Sequence, residues 1–549
     1  MLRASWLPCF GLGMPSRSAL LVAALVAVLA IAGSALPAAK PGSLALIRQG
    51  LAKAVASGQL DQPTADSYAA VASRAATELP SIPPLRAQTL SAMLADIAGQ
   101  TSSYTRQYAL TLFSMLEFNE QELGANALPP SGTDRYGEDG VLYRFVTGHG
   151  FEFHPLGNFG ALNTLILANK TDQAKELADA LIARGVPVDG RLLWSYPFPF
   201  GVGKPPWRSG MAQAVAAQAL ARTGQALDDQ DLLAAADHAY AAIPGRLVRA
   251  LPQGPWIKLY SFDAAPVLNA QLQTVISIGD YAQISGNMGA SGLAAQLQST
   301  AQSLLPKFDT GYWSLYSLGG RESTLSYHDY VVQLLRRMAT RTGDTTWGDF
   351  ATRFKSYETQ APVVNPNLAS RADPAVAPVV IYPDPQDGYL DTATFTFWLS
   401  KLSTVTLRAG GRSQSVTLGH GTQTVSWSPG LRAPGTYYPT LSAVDAAGNS
   451  TKIALRQVLI KAVAPPVVDA HVAGKRTLVW SGSDEGTPWL HLVVRLDAGT
   501  KRRYRDLGHQ PLSGRLVLAV PSGTWQATLV AGNSGHRAIT LQLGSVIGS

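Results

Sequence analysis

The chain has 549 residues, 46% of them apolar and 15% charged, with a mean hydropathy close to zero. That excludes a wholly disordered polymer, and the length predicts two to four domains with sizeable cores. Lys and Arg outnumber Asp and Glu by 44 to 37, and only Lys501-Arg502-Arg503-Tyr504-Arg505 is densely basic. So diffuse an excess argues against a nucleic-acid partner and suits an anionic substrate.

Residues 1–39 read as a secretory signal. Arg3 and Arg17 precede an apolar run over 19–32, and Gly33-Ser34-Ala35 offers a small-residue cleavage site. The run is short for a spanning helix, although extension to Ala39 would allow an uncleaved anchor. Export to the medium or the cell surface is the expectation, and the stretch from Met14 reads as a complete signal by itself. Cys9 precedes the apolar core, so the mature chain is expected to carry no thiol. Disulfides, a cysteine nucleophile and zinc–thiolate sites are then excluded.

A helical lead-in is predicted over 40–125, with helices at 44–57, 64–79 and 85–97. Pro63 suits the first turn of the second, and Ser81-Ile82-Pro83-Pro84 ends it. Residues 126–150, rich in glycine, proline and charge, read as loops or a short hairpin. Over 155–358 helix and turn alternate. Predicted helices at 171–184 and 209–223 end at Gly185 and Gly224, and others lie at 228–243, 265–283, 292–305, 327–340 and 347–357. No strand pattern alternates with them, which disfavours a parallel α/β sheet. Paired antiparallel helices predict an α/α toroid or incomplete (α/α)6 barrel over 126–360. Its loops would form a concave site at one end, and they are rich in aromatics such as Trp194, Tyr196, Phe198, Phe200 and Trp207. Such rings suit the C–H faces of sugars, though about half are expected only to pack.

Near Ala361-Pro362-Val363-Val364-Asn365-Pro366 the composition changes. Alternating segments at 392–399, 403–408, 413–418 and 436–444 predict antiparallel strands. Gly435-Thr436-Tyr437 with Ala443-Val444-Asp445-Ala446-Ala447-Gly448-Asn449 resembles the late strand and turn of bacterial immunoglobulin-like modules, and 523–533 repeats a weaker version. Two immunoglobulin-like β-sandwich modules are expected, 366–462 and 464–549, as spacers or as attachment to a cell surface or wall.

Common hydrolytic patterns are missing: the sequence holds no GxSxG, no HExxH and no Walker loop with its lysine. Glu152, Asp263, Asp309, Glu322 and Asp329 are the carboxylates near the aromatic loops, and none forms the opposed pair of a glycosidase. Tyrosine is concentrated instead, in Tyr316 and Tyr327-His328. A phenol with a pKa of about 10 is a poor base. It becomes useful on a proton whose loss is stabilised next door, such as C5–H of a uronic acid, α to a carboxylate.

Three segments resemble the C-terminal catalytic domain of the D-glucuronyl C5-epimerases, which act on heparosan and heparan sulfate precursors. Trp207-Arg208-Ser209-Gly210-Met211-Ala212-Gln213 is similar to the family's W-Y-S-A-M-A-Q. Leu305-Pro306-Lys307-Phe308-Asp309-Thr310-Gly311 with Leu315-Tyr316-Ser317-Leu318 is similar to L-P-L-Y-D-T-G and I-Y-D-L. Tyr327-His328-Asp329-Tyr330 with Gln333-Leu334 is similar to D-Y-H-T-T-H-I-N-Q-L. A fainter match, Gly150-Phe151-Glu152-Phe153-His154-Pro155-Leu156, precedes them. The resemblance implies an α/α-barrel epimerase that removes and returns the C5 proton without a nicotinamide cofactor. By position, Tyr316 and Tyr327 match two family active-site tyrosines, and Tyr260 matches a third. The family has a catalytic glutamate just before that third tyrosine, where this chain has Leu259. The β-rich N-terminal region of the family's animal members has no counterpart in this sequence.

Each candidate has a plainer alternative. Tyr260, Tyr316 and Tyr327 serve as acid/base groups or as satisfied core phenols. His328 polarises a tyrosine, touches substrate or structures a helix start. Arg208, Lys258 and Arg321 hold a uronate carboxylate or face solvent. Asn158 and Gln213 bind sugar hydroxyls or cap backbone, and Trp194, Tyr196 and Trp207 wall a cleft or fill it. No ligand spacing points to a metal. The expected activity is an exported polysaccharide uronate C5-epimerase turning D-glucuronate into L-iduronate. The alternatives are a uronate lyase, which begins with the same proton abstraction, and a catalytically inactive glycan-binding surface protein, which Leu259 motivates.

Overall fold

The computed structural model describes residues 42–384, 386, 389–430, 432–534 and 537–548. The expected signal and Cys9 lie outside the described residues. Two compact units divide the chain, Met1–Tyr357 and Glu358–Ser549. Among the described residues no helix is long and apolar enough to cross a membrane.

The described part of the first unit is helical. Four helices open it: α1 (Ser43–Ala56), α2 (Gln62–Glu78), α3 (Pro84–Ala98) and α4 (Arg106–Ala125). Asp61 caps α2 by accepting from Thr64 N at 2.8 Å, with proline in the first turn, as the sequence pattern required. Helix α4 lacks a counterpart in the sequence reading. It buries Tyr108, Leu112, Phe113, Met115, Leu116 and Asn119 on more than one face, because α2 and α3 flank it on one side and a β-strand on another. A helix wrapped in this way shows no single apolar stripe.

Next comes a three-stranded antiparallel sheet of Asp134–Tyr136, Leu142–Val146 and Gly150–Phe153. The remaining helices are α5 (Pro155–Leu167), α6 (Thr171–Arg184), α7 (Gly210–Leu227), α8 (Gln230–Ala241), α9 (Leu268–Ser285), α10 (Met288–Leu304), α11 (Leu325–Thr342) and α12 (Thr345–Tyr357). Neighbouring packing runs α5 to α7 to α9 to α11, and each of these also packs against the helix that follows it. Helices α7 and α9 are buried on nearly every face, whereas α8 and α10 bury one stripe. Two hairpins interrupt the helices, Val186–Val188 with Arg191–Leu193 and Val248–Leu251 with Gly254–Ile257. Both are too short to show alternation in sequence. The first turns on Asp189-Gly190, both at positive φ, as a tight two-residue hairpin demands.

The described part of the second unit consists of strands around two cores. Ala393–Leu399 lies between Gly421–Trp427 and Val364–Pro366, and Ser403–Ala409 joins Arg412–Leu418, Thr440–Asp445 and Ser450–Ala454. Phe395, Phe397, Val405, Leu407, Trp427, Leu441 and Val458 are among the residues that fill the space enclosed. A separate core holds Leu478, Trp480, Leu492, Val494, Leu529 and Val546, from strands between Val467 and Gly548. In-out alternation is plain in Ala393–Leu399 and Trp489–Ala498, each burying every second residue.

Candidate active site

The N-terminal ends of α5, α7, α9 and α11 are joined by a continuous file of aromatic rings. Leu156 N, in the first turn of α5, donates to Tyr196 Oη at 3.4 Å. Tyr196 stacks on Trp207 just before α7, with centroids 4.0 Å apart and planes 2° from parallel. Trp207 meets Tyr260 edge-on at 5.7 Å, and Tyr260 Oη lies 3.4 Å from Tyr316 Oη. The Tyr316 ring then meets Tyr327, in the first turn of α11, edge-on at 4.9 Å.

Local structure fixes each phenol. Thr324 caps α11, and its Oγ1 accepts from Tyr327 N at 3.4 Å. Tyr316 sits in a loop whose backbone is tied on both sides: its N donates to Arg321 O at 2.9 Å, and its O accepts from Leu268 N at 3.3 Å. The Tyr260 segment is sewn to the start of α7. Ser261 N donates to Arg208 O at 2.8 Å, Arg208 N donates to Ser261 Oγ at 3.0 Å, and Gly210 N donates to Lys258 O at 2.9 Å. A Cβ on Gly210 would come within 2.7 Å of Lys258 O, so glycine allows this close approach where the family carries alanine.

Burial pushes all three phenols above the usual tyrosine range, by different amounts. Tyr260 and Tyr327 rise well above it, first through burial and then through the neighbouring Tyr316. Tyr316 is also raised by burial, but hydrogen bonds from Tyr260 and Tyr327 pull it back down. It is therefore the phenol of the three best suited to become a phenolate, held between two that stay protonated.

Cations approach from two directions. Arg208 is half-buried, and its Nε is buried without a hydrogen-bond partner; burial and then Arg246 destabilise its charge. Arg144, from Leu142–Val146, is 1% exposed and donates from Nε and Nη2 to Asp134, both at 2.7 Å. Its field lowers the phenol pKa values of both Tyr196 and Tyr327. Directly across the sheet from Arg144 lies Glu152, also 1% exposed. Burial and then Asp96 lift its carboxyl well above the usual range.

Several sequence candidates are placed in the frame. His328 is fully buried and stacked on Trp313 at 3.9 Å, with Nδ1 2.7 Å from Ser314 Oγ and Nε2 2.8 Å from Phe354 O. Both ring nitrogens thus have partners, so it is a core histidine and not a group offered to substrate. Asn158 uses its amide on Leu142 N, Leu142 O and His154 O. Gln213 donates to Leu192 O and Ala239 O. Trp194 donates to Leu181 O and packs edge-on against Phe159. In each case an unpaired buried backbone group would cost more than a sugar contact gains. Tyr196 and Trp207 are both buried and packed in the aromatic file, Trp207 donating to Phe198 O at 2.8 Å. Lys258 is half-buried beside Tyr260, and Arg321 is exposed on the Tyr316 loop.

Arg144 is missing from the sequence candidates, and Glu152 appeared only as a nearby carboxylate. Both alternate with aromatics, in Tyr143-Arg144-Phe145 and Phe151-Glu152-Phe153. A charge between two buried rings on a strand buried on both faces is the signal that would have found them.

Residues 189–356 match the family model of the D-glucuronyl C5-epimerase C-terminus. The likeness to that family is thereby supported for this segment. The matched segment takes in Trp207, Tyr260, Tyr316 and Tyr327, while Arg144 and Glu152 precede it. No curated protein sequence gives a significant match. Among solved structures, a cellobiose 2-epimerase from Bacillus thermoamylovorans is similar at 10% identity over 58% of this chain and 75% of its own, TM-score 0.33. An endoglucanase from Komagataeibacter sucrofermentans is similar at 15% identity over 34% of this chain, TM-score 0.28, and the chain spans 60% of its length. Fibronectin(III)-like modules from Clostridium thermocellum are similar at 15% identity over 34% of this chain and 94% of their own, TM-score 0.16.

Proposed function

We propose that the chain is a polysaccharide uronate C5-epimerase, exported, that converts D-glucuronate to L-iduronate within an anionic glycan by tyrosine-mediated proton abstraction and return. The observation that carries this reading is the file Tyr260–Tyr316–Tyr327, three buried phenols at the meeting of four helix N-termini in the segment that matches the C5-epimerase family. Tyr316 as phenolate removes the C5 proton, and the charge passes into the substrate's carboxylate, for which Arg208, tied through its backbone to the Tyr260 segment, is the candidate cation. Tyr327 then gives a proton to the opposite face of the planar carbon. The proton then returns from Tyr316 to Tyr327, whose rings meet edge-on at 4.9 Å, so the pair resets without a cofactor. Tyr260 holds Tyr316 from the other side and steadies its anion.

An α/α toroid for the helical unit and an immunoglobulin-like form for the two β-cores accord with this reading, the β-cores serving as spacer or attachment to a cell surface or wall. The test is incubation of the purified chain with heparosan, followed by NMR of the polymer. L-iduronate signals are expected. An unsaturated uronate absorbing in the near ultraviolet would instead establish a lyase, and an unchanged polymer would remove heparosan as the substrate.

A further inference from the structure

The densely basic run Lys501-Arg502-Arg503-Tyr504-Arg505 has a place in the fold that the tyrosine chemistry does not use. It opens the strand Lys501–Pro511, at the edge of a four-stranded sheet completed by Trp489–Ala498, Gly523–Gly532 and Ala538–Gly548. All five of its side chains are exposed. Charge of either sign would guard an edge strand against pairing with another chain, yet all the charge here is positive. In Trp489–Ala498 the residues Leu490, Leu492, Val494 and Leu496 fill the core, so Trp489, Arg495 and Asp497 lie on the outer face. The register sets Arg502 beside Asp497 and Tyr504 beside Arg495 on that face.

Asp497 fixes two guanidinium groups there. Its Oδ1 accepts from Arg502 Nε at 2.7 Å, and its Oδ2 accepts from Arg495 Nε at 2.9 Å. One carboxylate thus orders two cations and neutralises one of them. Arg495 Nη2 also reaches Thr528 Oγ1 at 3.5 Å, and that hydroxyl donates to Gln542 Oε1 at 2.9 Å, so a polar row crosses all four strands. Tyr504 stands at the open end of this row, 61% exposed, next to Arg502 with 58% of its side chain exposed. Farther along the same face Trp489 stacks on His509, with centroids 3.8 Å apart. Exposed ion pairs add little to stability, so folding alone gives no reason for this order.

We propose that the outer face of this sheet is a second, non-catalytic binding site for a linear acidic polysaccharide. Its cations meet the carboxylates of the polymer, and the Tyr504 and Trp489 rings meet the C–H faces of its sugars. From Trp489 to Asp497 the face runs about 26 Å along the strands, room for several sugar residues of an extended chain. Amide and hydroxyl groups such as Gln542 and Thr528 suit sugar hydroxyls, which a lipid surface does not offer. That the polymer is also the one on which the tyrosine file acts rests on the uronate reading. Holding it at a second site raises its effective concentration at the first.

The test compares wild type, Arg502→Ala and Tyr504→Ala as full chains. Binding is measured by surface plasmon resonance on heparosan, hyaluronan, duplex DNA and phosphatidylglycerol vesicles, with melting temperatures expected to coincide. Each substitution should weaken heparosan binding about tenfold and raise KM on the long polymer by a similar factor at unchanged kcat. Turnover of a tetrasaccharide, which cannot occupy two sites at once, should match wild type in both variants. Unchanged binding in both variants would overturn the proposal, even if heparosan is epimerised. Loss in Arg502→Ala alone would overturn it too, by describing a bare cation, as would tighter binding of DNA or vesicles than of either polysaccharide. Hyaluronan bound in place of heparosan, and weakened by both substitutions, would keep this face and count against heparosan as the polymer of the tyrosine site.

Discussion

At the scale of single residues, the chemistry turns on which phenol ionises. Tyr316 lies between the other two phenols, 3.4 Å from Tyr260 Oη and edge-on to Tyr327, and these neighbours lower its pKa, yet burial still holds it above the ordinary value of 10.0. At neutral pH the reactive phenolate is then a minor species. Turnover should rise about tenfold per pH unit across the mildly alkaline range if the phenolate is the base, measured as kcat/KM on heparosan. A profile flat over that range would assign the base to a group already ionised at neutrality. Tyr316 and Tyr327 stood out as candidates in the sequence because each lies in a short motif that resembles the family's, and the fold brings their rings edge to edge. His328, Asn158 and Gln213 looked equally suitable by residue type. Sequence pattern names a polar side chain but not its partner, and these three had already been claimed by Phe354 O, Leu142 and Ala239 O. Glu152 and Arg144 stayed obscure for the converse reason, as strand residues whose neighbours are aromatic read as core.

At the scale of elements, helix α4 and the strand Gly150–Phe153 act together. Asn119 on α4 is fully buried and bonds Phe151 through both backbone groups, donating to its O at 2.7 Å and accepting from its N at 2.8 Å. This single amide sets the height of the strand that carries Glu152. Asn119→Ala should leave two buried backbone groups unpaired and cost about 2–4 kcal/mol of stability in urea unfolding. Activity should fall further than the folded fraction alone explains, because the strand leads into the first turn of α5, where Leu156 N is bonded to Tyr196 Oη. A stability change within error would show that the strand is held by its aromatic face instead. Element types were well marked where caps and glycines punctuated them, as at Asp61 and Gly185, although the helix expected to stop at Gly224 runs on to Leu227 and is ended by Asp228 in the left-handed region. They were lost where packing on several sides erased the periodicity, as in α4, or where strands of three or four residues were too short to have one.

At the scale of the whole molecule, the chain joins a helical unit that holds the tyrosine file to a β unit with two cores. The first β-core is pinned by a charge pair that the sequence pattern half disclosed. Asp445 opens the Asp445-Ala446-Ala447-Gly448-Asn449 turn, accepting from Asn449 N at 2.8 Å and pairing with Lys401 Nζ at 2.7 Å; both charged side chains are 1% exposed. Burial alone would raise the Asp445 carboxyl, but hydrogen bonds from Lys401 and Asn449 outweigh it and hold the pKa below the ordinary value. Stability from this pair is present above the unfolded carboxylate pKa of about 4 and is lost as pH falls through the lower folded value. Lys401→Ala should strand the carboxylate and cost about 3–5 kcal/mol at neutral pH. Calorimetry should show a smaller loss in acid, where Asp445 is protonated in both variants. An equal loss at every pH would mean that the lysine stem, and not its charge, matters.

The central claim, that Tyr316 removes the C5 proton of a uronate, is tested most directly by deuterium exchange. Purified chain and heparosan are held in D₂O, and deuterium at C5 is followed by NMR for the wild type and for Tyr316→Phe. The account predicts C5 deuterium together with L-iduronate in the wild type, and at least a 100-fold slower exchange in Tyr316→Phe, about the worth of a positioned acid–base group, with polymer binding retained. Equal exchange in both proteins would contradict it.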